Sequence, residues 1–138
     1  MYPQELVAPM KEDLTTEGFQ DLTTPEEVDR FLNESNGTVL MVVNSVCGCA
    51  AGNARPGVKQ ALKHEKRPDQ LATVFAGVDK DAVEQARKYM LPYPPSSPSI
   101  ALFKEGKLVH FLERHHIEGQ PSDTIAENLQ VAFDEYCN

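Results

Sequence analysis

Two apolar segments rich in β-branched residues place the strongest constraint on the fold. TVLMVVNSV covers residues 38–46 and LATVFAGV covers residues 71–78. In each segment both alternating sets of side chains are largely apolar, which is typical of a strand covered on both faces. Since amphipathic segments lie before, between and after these two strands, the sequence predicts a sheet with helices packed against it.

Five amphipathic segments are predicted to be helices. They cover residues 3–17, the segment from Thr24 to Gly37, residues 57–66, the segment from Asp79 to Met90, and the segment from Pro121 onward. Thr24 and Glu27 have the spacing of a capping box with Pro25 at the first helical position, and Asp79 is the predicted cap of the fourth helix. The third helix is expected to end before Pro68, because proline cannot continue a helix.

A proline-rich turn at residues 91–99 precedes two more predicted strands. SIALF and LVHFL are separated by a short connection at Glu105-Gly106, which predicts an antiparallel hairpin. Strands separated by helices pair in parallel through right-handed crossovers, so the whole order predicts one α/β sandwich over residues 1–138 with a mixed sheet. Ligands of such sheets bind at the carboxyl ends of the strands, and Cys47 follows one of these ends.

Composition and charge exclude several classes of protein. The 138 residues fit one domain, and 41% hydrophobic with 25% charged residues is typical of a globular protein. No apolar run approaches the roughly 20 residues that cross a bilayer. The N-terminus lacks the basic region and apolar block of a secretory signal, so we expect a cytoplasmic protein with no membrane partner. A formal net charge of −8 argues against binding to nucleic acid.

Cys47 and Cys49, separated by Gly48, carry the most distinctive chemistry in the sequence. Cys47 follows a predicted strand and opens a helix, where unpaired backbone N–H groups and the helix dipole favour a thiolate. Such a sulfur is a competent nucleophile at neutral pH. We therefore expect Cys47 to attack a disulfide in an incoming molecule.

The one-residue spacing indicates the kind of exchange. Helical residues two apart point to nearly opposite sides, so a Cys47–Cys49 bond requires Gly48 and its neighbours to leave helical geometry. The small ring is expected to be strained and readily reduced. This favours transfer of a small thiol from a capped protein onto Cys47, after which Cys49 or a second thiol releases it.

The segment Ser96-Ser97-Pro98-Ser99 precedes a predicted strand and suits a cis Ser97-Pro98 bond. In redox folds a turn of this kind faces the cysteine site, and its backbone can pair with an extended ligand. A plain proline-rich loop remains the alternative.

Several motifs together resemble the bacilliredoxins, a family of thioredoxin-like bacterial proteins with a Cys-Gly-Cys centre. The motifs are VNSVCGCAAGNARP, FAGVDK, PPSSPSIALFK, HFLERHHIEG and the closing Cys137. The resemblance implies a thioredoxin-like three-layer sandwich with an extra N-terminal helix. It departs from the family pattern at His116, where a single histidine followed by an acid is expected.

The resemblance also implies an activity. The protein would remove bacillithiol from S-thiolated cytosolic proteins, with Cys47 attacking and Cys49 as its partner. It implies no tightly bound cofactor, and it implies recycling by a bacillithiol-disulfide reductase. Cys137 resembles the C-terminal cysteine of the family; of its two possible roles, a third exchange partner or a free thiol on a frayed terminus, we expect the second.

Polar and basic residues near the cysteines are candidates for binding an anionic thiol. They are Asn44, Ser45, Gly48, Asn53, Arg55, Ser97, Pro98, Arg114 and His115. Turn, capping and solvated-surface roles explain many of them equally well.

Two other functions stay open. Cys47, Cys49, His115, His116 and Cys137 are all residue types that bind metals. The paired Cys-x2-Cys blocks of structural zinc sites are absent, so we expect no metal site. A general dithiol–disulfide oxidoreductase or isomerase would use the same two cysteines on the same fold.

Overall fold

A computed structural model describes residues 2–34 and 36–138. In this part of the chain the helices are α1 Gln4–Thr15, α2 Pro25–Asn33, α3 Arg55–Ala61, α4 Lys80–Lys88, α5 Arg114–Ile117 and α6 Ser122–Tyr136. The strands are β1 Gln20–Asp21, β2 Thr38–Asn44, β3 Gln70–Phe75, β4 Ser99–Lys104 and β5 Lys107–Leu112. A π-helical turn, Ala50–Ala54, leads directly into α3.

The strands form one five-stranded sheet in the order β1-β3-β2-β4-β5. β3 pairs in parallel with both β1 and β2, whereas β4 is antiparallel to β2 and to β5. Val43 lies opposite Ser99, and Ile100 lies opposite Leu112. The carboxyl ends of β2 and β5 and the start of β4 therefore meet at one edge of the sheet.

Two helix layers cover the sheet because successive side chains of β2 point to opposite faces. Leu40 and Val42 join a core with α1, α3 and α6, while Val39, Met41 and Val43 join a core with α2 and α4. All seven residues of β2 are buried, as expected of a central strand. The result is the predicted three-layer α/β sandwich with a mixed sheet and an additional N-terminal helix.

Local signals in the sequence predicted several details correctly. Thr24 and Glu27 form the capping box at the start of α2, with Pro25 as the first helical residue. The hairpin of β4 and β5 turns at Glu105 and Gly106, which have φ of 51° and 80°. Gly106 suits this left-handed backbone because it has no Cβ.

Other predictions of element bounds were wrong. The helix expected at residues 57–66 follows a helical segment that already begins at Gly48, and α3 ends at Ala61. α2 ends at Asn33 before reaching Gly37. Ser35, within that predicted segment, lies outside the described residues.

The Asp79 side chain does not cap α4, although Asp79 precedes its first residue. Its carboxylate instead accepts a hydrogen bond from Lys11 Nζ at 2.9 Å and ties α4 to α1. Lys11 also pairs with Asp21, so one ammonium group connects three parts of the chain.

Among the described residues, none of the helices has both the length and the apolar composition needed to cross a membrane. The longest, α6, has 15 residues and carries four acidic side chains.

Candidate active site

The fold places Cys47 at the edge where β2 ends. β2 stops at Asn44, Ser45 and Val46 form a short link, and the helical segment begins at Gly48. The main-chain carbonyl of Cys47 accepts hydrogen bonds from the N–H groups of Ala50 and Ala51. Cys47 is thus the last residue before the helix, as its position after a strand and before small residues predicted.

The two sulfur atoms of Cys47 and Cys49 lie 2.8 Å apart, and both cysteines are in the free form. Helical spacing would have kept them apart. Because Cys47 precedes the first helical residue, its side chain is free to turn toward Cys49 without disturbing the helix. Cys47 is half-buried, whereas Cys49 is only 9% exposed, so an incoming molecule meets Cys47 first.

The surroundings push the pKa values of the two thiols in opposite directions. The Cys49 side chain donates a hydrogen bond to the Cys47 sulfur, and this bond is the largest cause of a lowered Cys47 pKa. The backbone N–H groups of Cys49 and Ala50 and the charge of Arg114 act in the same direction. Burial and the bond to Cys47 raise the Cys49 pKa. The surroundings therefore favour ionisation of the accessible Cys47 and oppose ionisation of the buried Cys49.

Arg114 contacts the Cys47 sulfur from the far end of the hairpin. Its Nη2 lies 3.2 Å from Cys47 Sγ, and its Nη1 donates to the Ser97 carbonyl at 3.2 Å. Its Nε pairs with Glu118 at 3.3 Å. Arg114 joins the sulfur to the Ser97-Pro98 turn.

An open cavity of about 300 Å³ lies at the Cys47 sulfur. It is lined by Tyr2, Ser45, Val46, Cys47, Ala76, Gly77, Ser97 and Arg114. The Ser97-Pro98 bond is cis, as its position before a strand suggested, and Pro98 itself is buried. The cavity has room for a small thiol or a short peptide segment.

Arg55, one of the candidates for binding an anionic thiol, does not line this cavity. Only 5% of it is exposed, and its guanidinium group donates to Asn44 Oδ1, the Ser45 carbonyl and Asp13 Oδ2. Asn44 is fully buried and also donates to the Met10 carbonyl. Both side chains are thus occupied in holding the protein together.

This buried network still bears on the nucleophile. Ser45 Oγ accepts a hydrogen bond from the Cys47 backbone N–H at 3.2 Å, and the Ser45 N–H donates to Asn44 Oδ1 at 2.9 Å. Arg55 fixes both residues through the contacts just described. The network holds the link between β2 and Cys47 in a single conformation.

The remaining predicted residues are spread around the site. Gly48 is exposed, with open space around the position a Cβ would occupy. Asn53 donates to the carbonyl of Gln120 and connects the π-helical turn to the segment before α6. The His115 side chain is 70% exposed and contacts His116, with 4.1 Å between the ring centroids and the ring planes tilted by 50°. None of the three lines the cavity at Cys47.

Cys137 lies far from the other two cysteines. It is 4% exposed in the core under α6, and burial raises its pKa. Its thiol lies beside Thr38, at the opposite end of β2 from Asn44, and a seven-residue strand is about 20 Å long. Cys137 is a free thiol, as predicted, but the prediction of a frayed terminus was wrong, because the residue is packed in the core.

The structure also brings in residues that the sequence did not single out. Tyr2, Ala76 and Gly77 form one wall of the cavity. Ala76 and Gly77 follow β3, the parallel neighbour of β2, so they meet Cys47 at the same edge of the sheet. The strand pairing could have identified these two residues, whereas no pattern in the sequence indicates Tyr2.

The cysteines and histidines do not gather into a common metal site in the described part of the chain. The group of three potential ligands found there consists of Glu113, His115 and His116, whose ligand atoms lie within 4.8 Å of one another. It includes no sulfur.

Comparison with known proteins agrees with this geometry. The model of a family described as disulphide isomerase matches residues 2–137. Bacilliredoxin from Cytophaga hutchinsonii is 62% identical over 135 residues, covering 98% of this chain and 99% of the relative. The chain belongs to the bacilliredoxin family. A bacilliredoxin from Halalkalibacterium halodurans is 50% identical, covering 99% of this chain and 94% of the relative.

Comparison with solved structures shows that this bacilliredoxin has the thioredoxin fold. The thioredoxin of Fasciola hepatica superimposes with a TM-score of 0.59 at 19% identity, covering 86% of this chain and 99% of that one. At this identity the likeness shows the fold alone. Family membership and the paired thiols together support a thiol–disulfide oxidoreductase.

Proposed function

We propose that this protein removes bacillithiol from S-thiolated cytosolic proteins. The observation that carries the proposal is the pair of sulfurs 2.8 Å apart with pKa values displaced in opposite directions. An accessible thiol that ionises more readily, beside a buried thiol that ionises less readily, is the division of roles that a two-step exchange needs. Relatives that bear the name bacilliredoxin support bacillithiol as the small thiol.

In the first step the Cys47 thiolate attacks the sulfur of the cap. A bond forms between Cys47 and the cap, the bond between the cap and the substrate protein breaks, and the substrate leaves as a thiolate. In the second step Cys49 loses its proton and attacks Cys47, which releases the cap as a free thiolate and leaves a Cys47–Cys49 disulfide. A bacillithiol-disulfide reductase system then restores the two thiols.

Arg114 supports both steps through its charge. It balances the Cys47 thiolate before the attack, and that negative charge disappears once the mixed disulfide has formed. The guanidinium group then faces the cavity next to the newly bound cap. A cap that carries a carboxylate replaces the lost negative charge, so Arg114 and the Ser97 turn favour an anionic thiol.

A protein carrying one bacillithiol-capped cysteine tests the proposal. Intact-mass spectrometry follows loss of the cap with the wild type, Cys47→Ala and Cys49→Ala. We expect Cys47→Ala to reduce the rate to that of uncatalysed exchange, and Cys49→Ala to retain the cap on Cys47. Cap removal by Cys47→Ala at the wild-type rate would contradict the assignment.

The family description, disulphide isomerase, favours a second candidate function. A general oxidoreductase would reduce ordinary protein disulfides with the same two thiols. Insulin reduction coupled to a thioredoxin-type reductase distinguishes the two functions. Fast insulin reduction with slow cap removal identifies the general enzyme, and the opposite preference supports removal of the cap.

A further inference from the structure

We infer that Glu113, His115 and His116 form a binding site for a divalent transition metal of the zinc class. One ligand atom from each side chain lies within 4.8 Å of the other two. The centroids of the His115 and His116 rings lie 4.1 Å apart with the ring planes tilted by 50°, and His115 Nε2 lies 4.0 Å from Glu113 Oε2. Ligands of a tetrahedral ion with bonds of roughly 2 Å lie a little over 3 Å apart, so small side-chain rotations complete the site.

The chemistry of the donors selects the ion. Two imidazoles and one carboxylate suit Zn²⁺, Ni²⁺ and Cu²⁺, whereas Ca²⁺ and Mg²⁺ prefer oxygen ligands alone. Three protein ligands leave at least one position for water or for a further group. The site is therefore an open one, unlike the closed four-ligand sites that hold structural zinc.

The surroundings leave space for an ion. His115 and His116 line a cavity of about 270 Å³ together with Leu112, Gln120, Thr124, Ile125 and Asn128. The nearest cationic side chain along the chain, Arg114, directs its guanidinium group toward Cys47, Ser97 and Glu118. Its charge is thus turned away from the three ligands by contacts that it already makes.

Metal binding by His116 replaces a hydrogen bond that its ring accepts with a bond to the ion. His116 Nδ1 accepts a hydrogen bond from the Glu113 backbone N–H at 3.0 Å. A neutral imidazole has one lone pair on its ring nitrogens, so His116 either accepts this bond or binds the ion. The released N–H group lies at an exposed helix start, where water replaces the lost partner.

The site is separate from the thiol chemistry, and its test does not depend on the proposed function. Isothermal titration with Zn²⁺ uses the full chain with Cys47→Ser and Cys49→Ser, because a free dithiol also binds zinc. We expect one equivalent to bind. His115→Ala or His116→Ala in this background should weaken binding at least about tenfold, since each removes a direct ligand.

Two controls separate this site from general attraction of cations to an acidic protein. His64→Ala removes a histidine that pairs with Asp134 alone, and it should leave Zn²⁺ affinity unchanged. Ca²⁺ should not compete with Zn²⁺ at equal concentration.

Electron paramagnetic resonance with Cu²⁺ provides a second measurement that reports the ligands directly. We expect hyperfine coupling to two imidazole nitrogens, reduced to one in either single variant. The proposal is overturned if Zn²⁺ does not bind, if His115→Ala and His116→Ala bind it as tightly as their background, or if His64→Ala weakens it equally.

Discussion

At the scale of single residues, the difference between two cysteines two positions apart explains most of the chemistry. Cys49 is buried and holds its proton, and that proton is hydrogen-bonded to the Cys47 sulfur. The same bond lowers the Cys47 pKa and adds to burial, the larger cause, in raising the Cys49 pKa, so the two shifts are linked. A lone cysteine at this position would lack the hydrogen bond that lowers the Cys47 pKa most.

Arg114→Gln should raise the Cys47 pKa, because it removes a positive charge 3.2 Å from the sulfur. A thiol ionises as pH rises through its pKa, so less thiolate remains at pH 7 in the variant. We expect alkylation of Cys47 by iodoacetamide at pH 7 to slow by about threefold, and the difference to shrink at high salt, since an exposed charge is screened. The pH profile of the alkylation rate, read by mass spectrometry of the Cys47 peptide, measures the shift.

Arg67→Gln is the matched control for this experiment. Arg67 is exposed and precedes β3, at the opposite end of that strand from Ala76 and the cavity. Its loss removes the same charge from the molecule without touching the site. An equal displacement of the pH profile in both variants would mean that overall charge, rather than the contact with Cys47, controls the thiol.

At the scale of helices and strands, the sequence predicted which elements form, and the structure adds which elements contact one another. Apolar alternation and capping residues predicted the central strands, the hairpin and α2 because those signals are local. The two-residue strand β1 and the four-residue helix α5 are too short to show a period. The contact between Arg114 and Cys47 joins residues 67 positions apart, a separation at which spacing carries no information.

Packing between α3 and α6 gives a prediction about stability. A Cβ at Gly57 would lie 2.7 Å from Ile125 Cγ2 and 3.2 Å from the Ser122 carbonyl oxygen. Gly57→Ala should therefore force the two helices apart and lower the free energy of unfolding by about 1–3 kcal/mol. Urea denaturation followed by circular dichroism measures this change.

Gly52→Ala provides the comparison for Gly57→Ala. Gly52 lies in the π-helical turn, and no atom approaches the position of its Cβ within 4 Å. We expect a neutral change or a gain of up to about 1 kcal/mol, because alanine restricts the unfolded chain. If both variants lose stability equally, backbone preference rather than helix contact accounts for the loss at Gly57.

At the scale of the whole molecule, β2 separates two thiol environments. Cys47 and Cys49 lie beyond its carboxyl end, and Cys137 lies beside Thr38 at its start. No signal in the sequence indicated this separation, because position 137 is far from position 47 along the chain whether or not the fold brings them together. The packing of α6 onto the sheet determines where Cys137 lies relative to Cys47.

Cys137→Ala should leave the rate of cap removal within about twofold of the wild type, because a buried thiol on the far side of a strand roughly 20 Å long does not reach Cys47. In the wild type, alkylation of Cys137 should be slow until denaturant is added. Intact-mass time courses with and without urea test both statements. Rapid modification of a third thiol in the native protein would show that α6 opens easily.

Because Cys137 lies too far from Cys47 to take part in exchange, the protein by itself supplies two reactive thiols, those of Cys47 and Cys49. If Cys49 resolves each mixed disulfide, the site stores two reducing equivalents, and clearing one cap consumes both. Without an external electron donor, the yield of restored substrate should equal the amount of this protein added and then stop. Under the proposed function, the same molecule becomes a multiple-turnover catalyst when an external reductant, either a reductase or a free thiol, reaches Cys47 and restores both thiols.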